Sequence, residues 1–356
     1  MSVLLGVFLH AVGGFASGSF YIPYRRVRGW AWESYWLAGG LFSWLFAPWI
    51  AAWLTVPDLM GVLRAAPSSS LLWSYVMGLL WGIGGLTFGL SMRYLGLSLG
   101  MAVALGYCSA FGTLIPPIYY DQFGELTRTA SGQAILLGVA ICLLGIAICG
   151  WAGMRKEREL PEEAKRATIQ EFNFSKGLAV ATFSGILSAC MSFGLAAGKP
   201  IADLAAQAGT NPLYVNNAVL VVVLLGGLTT NALWTVYLNL KNRTSRDYTN
   251  PATPLLRNYL FCALAGTTWY LQFFFYGMGS SQMGRYDFSS WTLHMAFIIT
   301  FSSLWGLYFR EWQGASRPTL RTITLGILTV VLSTIVVGVG NYLASREEKA
   351  EVAAER

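Results

Sequence analysis

The stretch GMRKERELPEEAKRATIQEFNF (residues 153–174) decides how this chain is built, because it is the one long charged segment in a sequence of apolar runs. It holds Arg155, Lys156, Arg158, Glu159, Glu162, Glu163, Lys165 and Arg166. Of the 356 residues, 55% are hydrophobic and 12% charged, whereas a soluble domain carries about 25% charged residues. Mean hydropathy is +0.52. An apolar run of about 20 residues crosses a bilayer as a helix. Outward from the charged segment, ten such runs can be drawn, at approximately 3–24, 32–56, 70–93, 97–120, 132–152, 175–199, 212–239, 256–277, 287–309 and 318–343. Five precede the segment and five follow it.

The expected fold is therefore an all-α membrane protein with ten transmembrane helices. Residues 1–152 form a first five-helix repeat, 153–174 a charged cytoplasmic linker, 175–343 a second repeat, and 344–356 a polar C-terminal tail. A faint internal repeat supports the division: Trp81-Gly-Ile-Gly-Gly-Leu-Thr-Phe88-Gly89 parallels Trp269-Tyr-Leu-Gln-Phe-Phe-Phe-Tyr276-Gly277, and Gly14-Phe-Ala-Ser17 parallels Gly185-Ile-Leu-Ser188. Because five is odd, two such halves have opposite topology, the inverted-repeat plan of many secondary transporters, with a site near the bilayer midplane. Loops after the odd-numbered runs hold seventeen of the 24 Lys and Arg residues, so the positive-inside rule places them in the cytoplasm and both termini outside.

Several function classes are excluded or disfavoured. The net charge of +7 is dispersed between apolar runs instead of gathered on one solvated face, so it sets orientation and does not bind nucleic acid. The cysteines at 108, 142, 149, 190 and 262 lie inside apolar runs without CxxC spacing and read as core residues. The first run starts at once after Met1, with no basic segment or small-residue cleavage site, and is expected to be a retained helix. No GxxxxGK[ST] loop is present. The two histidines are isolated in sequence, so neither a metal cluster nor a cofactor is expected, which argues against a membrane-embedded enzyme.

Specific motifs then resemble one family. Gly6-Val-Phe-Leu-His10, Phe20-Tyr21-Ile-Pro23, Trp30-Ala-Trp32-Glu33, Trp81-Gly-Ile-Gly84, Met92-Arg-Tyr-Leu-Gly96, Met191-Ser-Phe193, Lys199-Pro200, Pro212-Leu-Tyr-Val215, Trp269-Tyr-Leu-Gln-Phe-Phe-Phe-Tyr276, Tyr286-Asp287, Leu293-His294-Met295 and Glu311-Trp312 occur in order along the chain. Together they resemble the bacterial L-rhamnose–proton symporters, of the drug/metabolite transporter superfamily. The resemblance implies proton-coupled uptake of L-rhamnose or a related deoxy sugar by alternating access, in a multi-pass protein of the bacterial inner membrane that works as a monomer among lipids. The alternative within the superfamily is a metabolite exporter or exchanger.

Polar side chains inside spans are costly and default to a functional reading. His10, Gly14, Ser17 and Tyr21 share one helical face; Trp269, Gln272, Phe273 and Tyr276 share another; Asp287, Trp291 and His294 share a third. A sugar needs donors and acceptors for its hydroxyls and aromatic rings for its C–H faces. The expected sugar contacts are Gln272, Tyr276, His294 and Trp36, followed by Tyr21, Trp269 and Asn217. Proton coupling needs a group that changes charge, and the candidates are Asp287, Glu33 and His10. Plainer readings stand beside these: Gln272 as an interhelical bridge, Asp287 and Glu33 as caps at helix starts, and His10 bonded to a carbonyl; Lys199 is either a counter-charge for one of the two carboxylates or a snorkelling end residue.

Overall fold

The computed structural model describes residues 2–95, 97–159, 173–310 and 312–354. Most of the charged linker (160–172), with Glu162, Glu163, Lys165 and Arg166, lies outside the described residues, as do Gly96 and Glu311 of the motifs above. The side chains of Met92 and Arg93 fall outside them too. In a bilayer each backbone N–H and C=O must be satisfied within the protein, so apolar runs of this length become helices. No strand occurs among the described residues.

The long helices are α1 (Val3–Ser19), α2 (Trp32–Leu41, continued by Phe42–Phe46 and Ala47–Thr55), α3 (Ser68–Leu95), α4 (Leu97–Tyr119) and α5 (Ala130–Glu159), then α6 (Phe174–Ala197), α7 (Asn217–Asn242), α8 (Leu255–Ser280), α9 (Ser290–Tyr308) and α10 (Arg317–Ala354). Among the described residues, eight helical segments are long and apolar enough to cross a membrane. Helices α8 and α9 are not among them. They carry the polar and aromatic stripes picked out above, and that content lowers their hydropathy.

Three boundaries differ from the hydropathy reading. Helix α7 begins at Asn217, not near 212, because Asn211 to Asn216 form turns in which the Asn211 side chain accepts the Leu213 N–H at 3.0 Å. A separate short helix, Lys199–Gln207, follows α6, with Pro200 in its first turn. Helix α10 runs without a break through Ala354, past the expected tail boundary at 344.

Helix α3 packs on α6 and α7, and α4 on α6. In the matching arrangement, α8 packs on α1 and α2, and α9 on α1. Helices α5 and α10 pair along their length. Helix α2 contains a π-turn over Phe42–Phe46 just before Pro48. Proline has no N–H to donate back one turn, and the wider turn absorbs the missing bond. The turn carries Trp44, whose ring lies over Gly40, while the Tyr24 hydroxyl lies over Gly39; a Cβ at either glycine would overlap the ring system above it.

This close approach yields a stability prediction. Gly39→Val should displace Tyr24 and destabilise the protein by about 1–3 kcal/mol, the usual cost of overpacking. Gly85→Val, where an added Cβ meets nothing within 4 Å, should leave the melting temperature in detergent unchanged. Equal melting temperatures for the two variants would contradict the packing described.

Candidate functional site

A cavity of about 820 Å³ lies at the end of the bundle that carries the connections after α4, α6 and α8. Tyr120 and Gln122 reach it from the first connection, Lys199 and Asp203 from the short helix after α6, and Arg285 and Asp287 from the 3-10 turn Gly284–Ser289. Deeper in, Tyr276 and Ser280 of α8, Asn216 and Ser192 line it. Asn216 is oriented by its own amide, which donates to the Gly277 carbonyl at 3.0 Å. At the rim Arg285 donates to Glu125 at 2.9 Å and lies 3.6 Å from Glu347. That contact ties α10 and the short helix Phe123–Arg128 to the turn before α9.

Two of the expected site residues, Tyr276 and Asp287, line this cavity. Asp287 sits in the connecting turn, outside the spanning helices. Its surface is open to the cavity, yet protein flanks the cavity on every side. Burial at that depth pushes its carboxyl above the usual carboxylate range, while the Lys199 ammonium and the Phe288 N–H act in the opposite direction. Because the carboxylate keeps contact with the open cavity, the upward push is that of depth and not of a dry pocket.

Directly behind Tyr276 lie both histidines. The His10 ring centroid is 5.3 Å from that of Tyr276 and the His294 centroid 5.2 Å, each edge-on. Trp291, whose indole N–H donates to the Cys108 carbonyl at 3.0 Å, closes the other side of Tyr276 at 5.8 Å. Gln272 is on the same helix one turn earlier and is 4% exposed.

Below this layer the path is filled with aromatic rings. His294 meets Phe273 at 6.0 Å, Phe273 meets Trp269 at 5.2 Å, and Trp269 meets Trp44 at 5.6 Å and Trp81 at 5.5 Å. Trp44 then meets Trp36 at 6.0 Å, and Trp36 meets Tyr24, Tyr21 and a stacked Trp32. Trp36 and Trp269 thus belong to the barrier and not to the cavity wall. Trp36 donates its indole N–H to Asn231 at 3.1 Å. Tyr21, 45% exposed, stands at the far end.

Two expected residues lie elsewhere. The Asn217 amide donates to Thr55 at 2.9 Å and joins α7 to the end of α2, while its neighbour Asn216 faces the cavity. Glu33 accepts from Asn242 and Thr244, each at 2.9 Å. Beside it Asp247 accepts from the Ala31 N–H at 2.8 Å and the Ser34 hydroxyl at 2.7 Å. These two carboxylates fasten the start of α2 to the connection after α7, at the barrier end.

From sequence Lys199 reads as a counter-charge or a snorkelling end residue, and Asp203 and Asn216 carry no site reading. The signal for the first two was present: they are spaced i, i+4 on a helix started by Pro200 whose opposite face buries Ile201, Ala202 and Ala205.

A cavity open at one end, a polar floor and a ring-packed barrier make the outline of a carrier, and comparison with known proteins agrees. The family model described as L-rhamnose-proton symport protein matches residues 1–344. The chain belongs to that family. Proteins named L-rhamnose-proton symporter from Cronobacter sakazakii and Yersinia pestis are each 39% identical to it, over 344 and 343 residues. The matches cover 95% of this chain and 98% of each relative. The Yersinia pseudotuberculosis protein of the same name is equally similar. The family is one of transporters, and the chain is a multi-pass membrane protein.

The cavity and barrier predict one-sided access. A membrane-impermeant maleimide should label Ser280→Cys only from the face that also labels Gln122→Cys, and should not label Trp36→Cys from that face. Labelling of Trp36→Cys from the cavity side would mean the barrier is not closed.

Proposed function

We propose that this protein imports L-rhamnose together with a proton across the bacterial inner membrane, as a monomer, by exposing one central site alternately to the two sides. Its relatives bear the name of that activity over nearly their whole length. The single observation carrying the mechanism is a cavity that ends on an unbroken aromatic barrier. By the charge rule the cavity end faces outward, so the structure corresponds to the state that receives sugar.

The ten-span inverted-repeat plan belongs to this reading, and the packing supports it. Advancing each helix by five exchanges the neighbours: α3 on α6 answers to α8 on α1, α3 on α7 to α8 on α2, and α4 on α6 to α9 on α1. The pair α5–α10 answers to itself. Trp81 and Trp269, which occupy matching positions in the repeated motif, meet each other at 5.5 Å. Rocking one half against the other would close the cavity and open the barrier.

Within this scheme Tyr276 contacts the sugar from the floor, Gln272 and His294 behind it and Trp269, Trp36 and Tyr21 of the barrier contact it as the barrier parts, and Asp287 takes up the proton from the outside. A membrane potential of about 100 mV supplies about 2.3 kcal/mol per charge, enough to concentrate a neutral sugar about forty-fold. The mechanism involves no cofactor, and the coupling ion is the proton.

Labelled rhamnose should accumulate in energised vesicles, and a protonophore should abolish the accumulation; uptake indifferent to protonophore would contradict symport. Asp287→Asn should hold internal rhamnose at the external concentration, and wild-type accumulation in that variant would remove Asp287 from coupling. Lys199 opposes the upward push on the Asp287 carboxyl. Lys199→Ala should therefore move the midpoint of the pH–uptake profile to higher pH, by about one unit. A downward movement would contradict the pairing. Gln272→Ala should weaken rhamnose binding by about 1 kcal/mol, some five-fold, and unchanged affinity by calorimetry would discard the contact.

A further inference from the structure

The chain has two histidines in 356 residues, and the fold brings both to one tyrosine. His10 comes from α1 and His294 from α9, and each imidazole meets the Tyr276 ring edge-on. Both are 0% exposed, and among the described residues none of the four ring nitrogens has a hydrogen-bond partner. Buried polar atoms ordinarily find partners. Here four unpartnered nitrogens, on two side chains, converge on one phenol.

The repeat-related crossing of α6 with α4 shows the same contact made by packing alone. A Cβ added to Gly14 of α1 would meet the Phe297 Cβ and the Ile298 amide nitrogen on α9. A Cβ added to Gly185 of α6 would meet the Tyr107 Cβ and the Cys108 amide nitrogen on α4. The two helix pairs therefore cross in one register. Counting back four residues from each glycine and three from its partner sets His10 against Ala181 and His294 against Ala104. Ala181 and Ala104 are 0% and 1% exposed and share one apolar cluster. The α6–α4 crossing is closed with two methyl groups, whereas the α1–α9 crossing places two imidazoles there.

The surroundings contain little charge. Helices α1, α4 and α9 carry no charged side chain; α8 carries Arg257 near its start, and α10 carries Arg317, Arg321, Arg346, Glu347, Glu348, Lys349 and Glu351 near its ends. Tyr276 is the titratable group in ring contact with the pair, Tyr107 and Cys108 belong to α4 beyond Trp291, and Asp287, Arg285 and Lys199 lie across the cavity.

We propose that His10 and His294 act as one unit that holds the transported proton while the cavity is sealed, with Tyr276 as the side chain through which bound sugar reaches them. This deepens the symport reading and rests on it. Asp287 faces open space and exchanges protons with the outside; the imidazoles are shut away from it, so a proton placed there stays while both ends are closed. As the cavity seals around the sugar, the proton taken up by Asp287 passes to one imidazole nitrogen and leaves Asp287 ionised, and the resulting imidazolium charge opposes a second protonation of its neighbour. Tyr276 lines the cavity on one side and touches both rings on the other, so a sugar that engages the phenol alters both rings together.

The test uses the intact protein in lipid, labelled with ¹⁵N-histidine, whose spectrum contains two ring systems. Adding L-rhamnose at about pH 6.5, near the ordinary imidazole midpoint, should convert one ring from the neutral to the imidazolium signature. Both rings staying neutral with rhamnose bound, from about pH 5 to 8, would overturn the proposal. In vesicles, His10→Gln and His294→Gln should each lower the protons taken up per rhamnose carried by about five-fold or more, a ratio unaffected by slower transport or partial loss of folded protein. An unchanged ratio would overturn it as well. Wild-type vesicles that carry rhamnose with no proton flux would instead overturn the symport reading itself.

Discussion

Helices α8 and α9 cannot stand in lipid on their own terms, and the arrangement of the remaining helices follows from that. Between them they carry Gln272, Tyr276, Thr292, His294 and a run of aromatic side chains, of which Gln272, Tyr276, Thr292 and His294 are all buried. Polar groups at bilayer depth are costly unless they face protein or an aqueous cavity. Helices α1 and α2 therefore pack against α8, and α1 and α10 against α9. At the cavity this shelter opens, onto Tyr276 and Ser280 of α8.

That constraint links packing to transport. The barrier is made of rings that touch edge-on, tilted or, for Trp32 on Trp36, stacked, 5.2–6.4 Å apart, in contacts of about 0.5–1.5 kcal/mol each beyond their buried area. Many weak contacts of this kind can be exchanged for others as the halves move, which a single strong bond could not. At the barrier end the stronger ties are the carboxylates Glu33 and Asp247, which fasten α2 to the connection after α7. At the cavity end Arg285 pairs with Glu125 and Glu347, partly exposed and hence weakly, beside the neutral hydrogen bonds of Asn216 to Gly277 and Asn217 to Thr55.

Much of the fold was legible because apolar runs and helix lengths are tied to bilayer thickness. The expected start of span six at 175 and the observed start at Phe174 agree, as do 256 and Leu255 for span eight. Hydropathy could not place the start of α7, since Pro212 to Val215 is as apolar as a helix but is turned by the Asn211 cap. The site was legible as stripes on helices, which is how Tyr276, His294 and His10 came together. It was less legible at helix ends. Asn216 and Asn217 differ by one residue in where they point, and one residue is within the uncertainty of a helix start. Lys199 and Asp203 sit on a nine-residue helix too short to show in a hydropathy window. Glu33 and Asp287 looked alike as acidic residues at helix starts; one is held by two donors while the other is left open to the cavity.

The central claim is that the two halves exchange which end of the bundle is open. Paired spin labels measure this directly, one pair at Asp121 and Gln207 on the cavity end and one at Arg26 and Lys241 on the barrier end. Adding L-rhamnose under acidic conditions should populate a state with a shorter cavity-end distance and a longer barrier-end distance. Distances that stay unchanged at both ends, or lengthen at both ends together, would contradict alternating access.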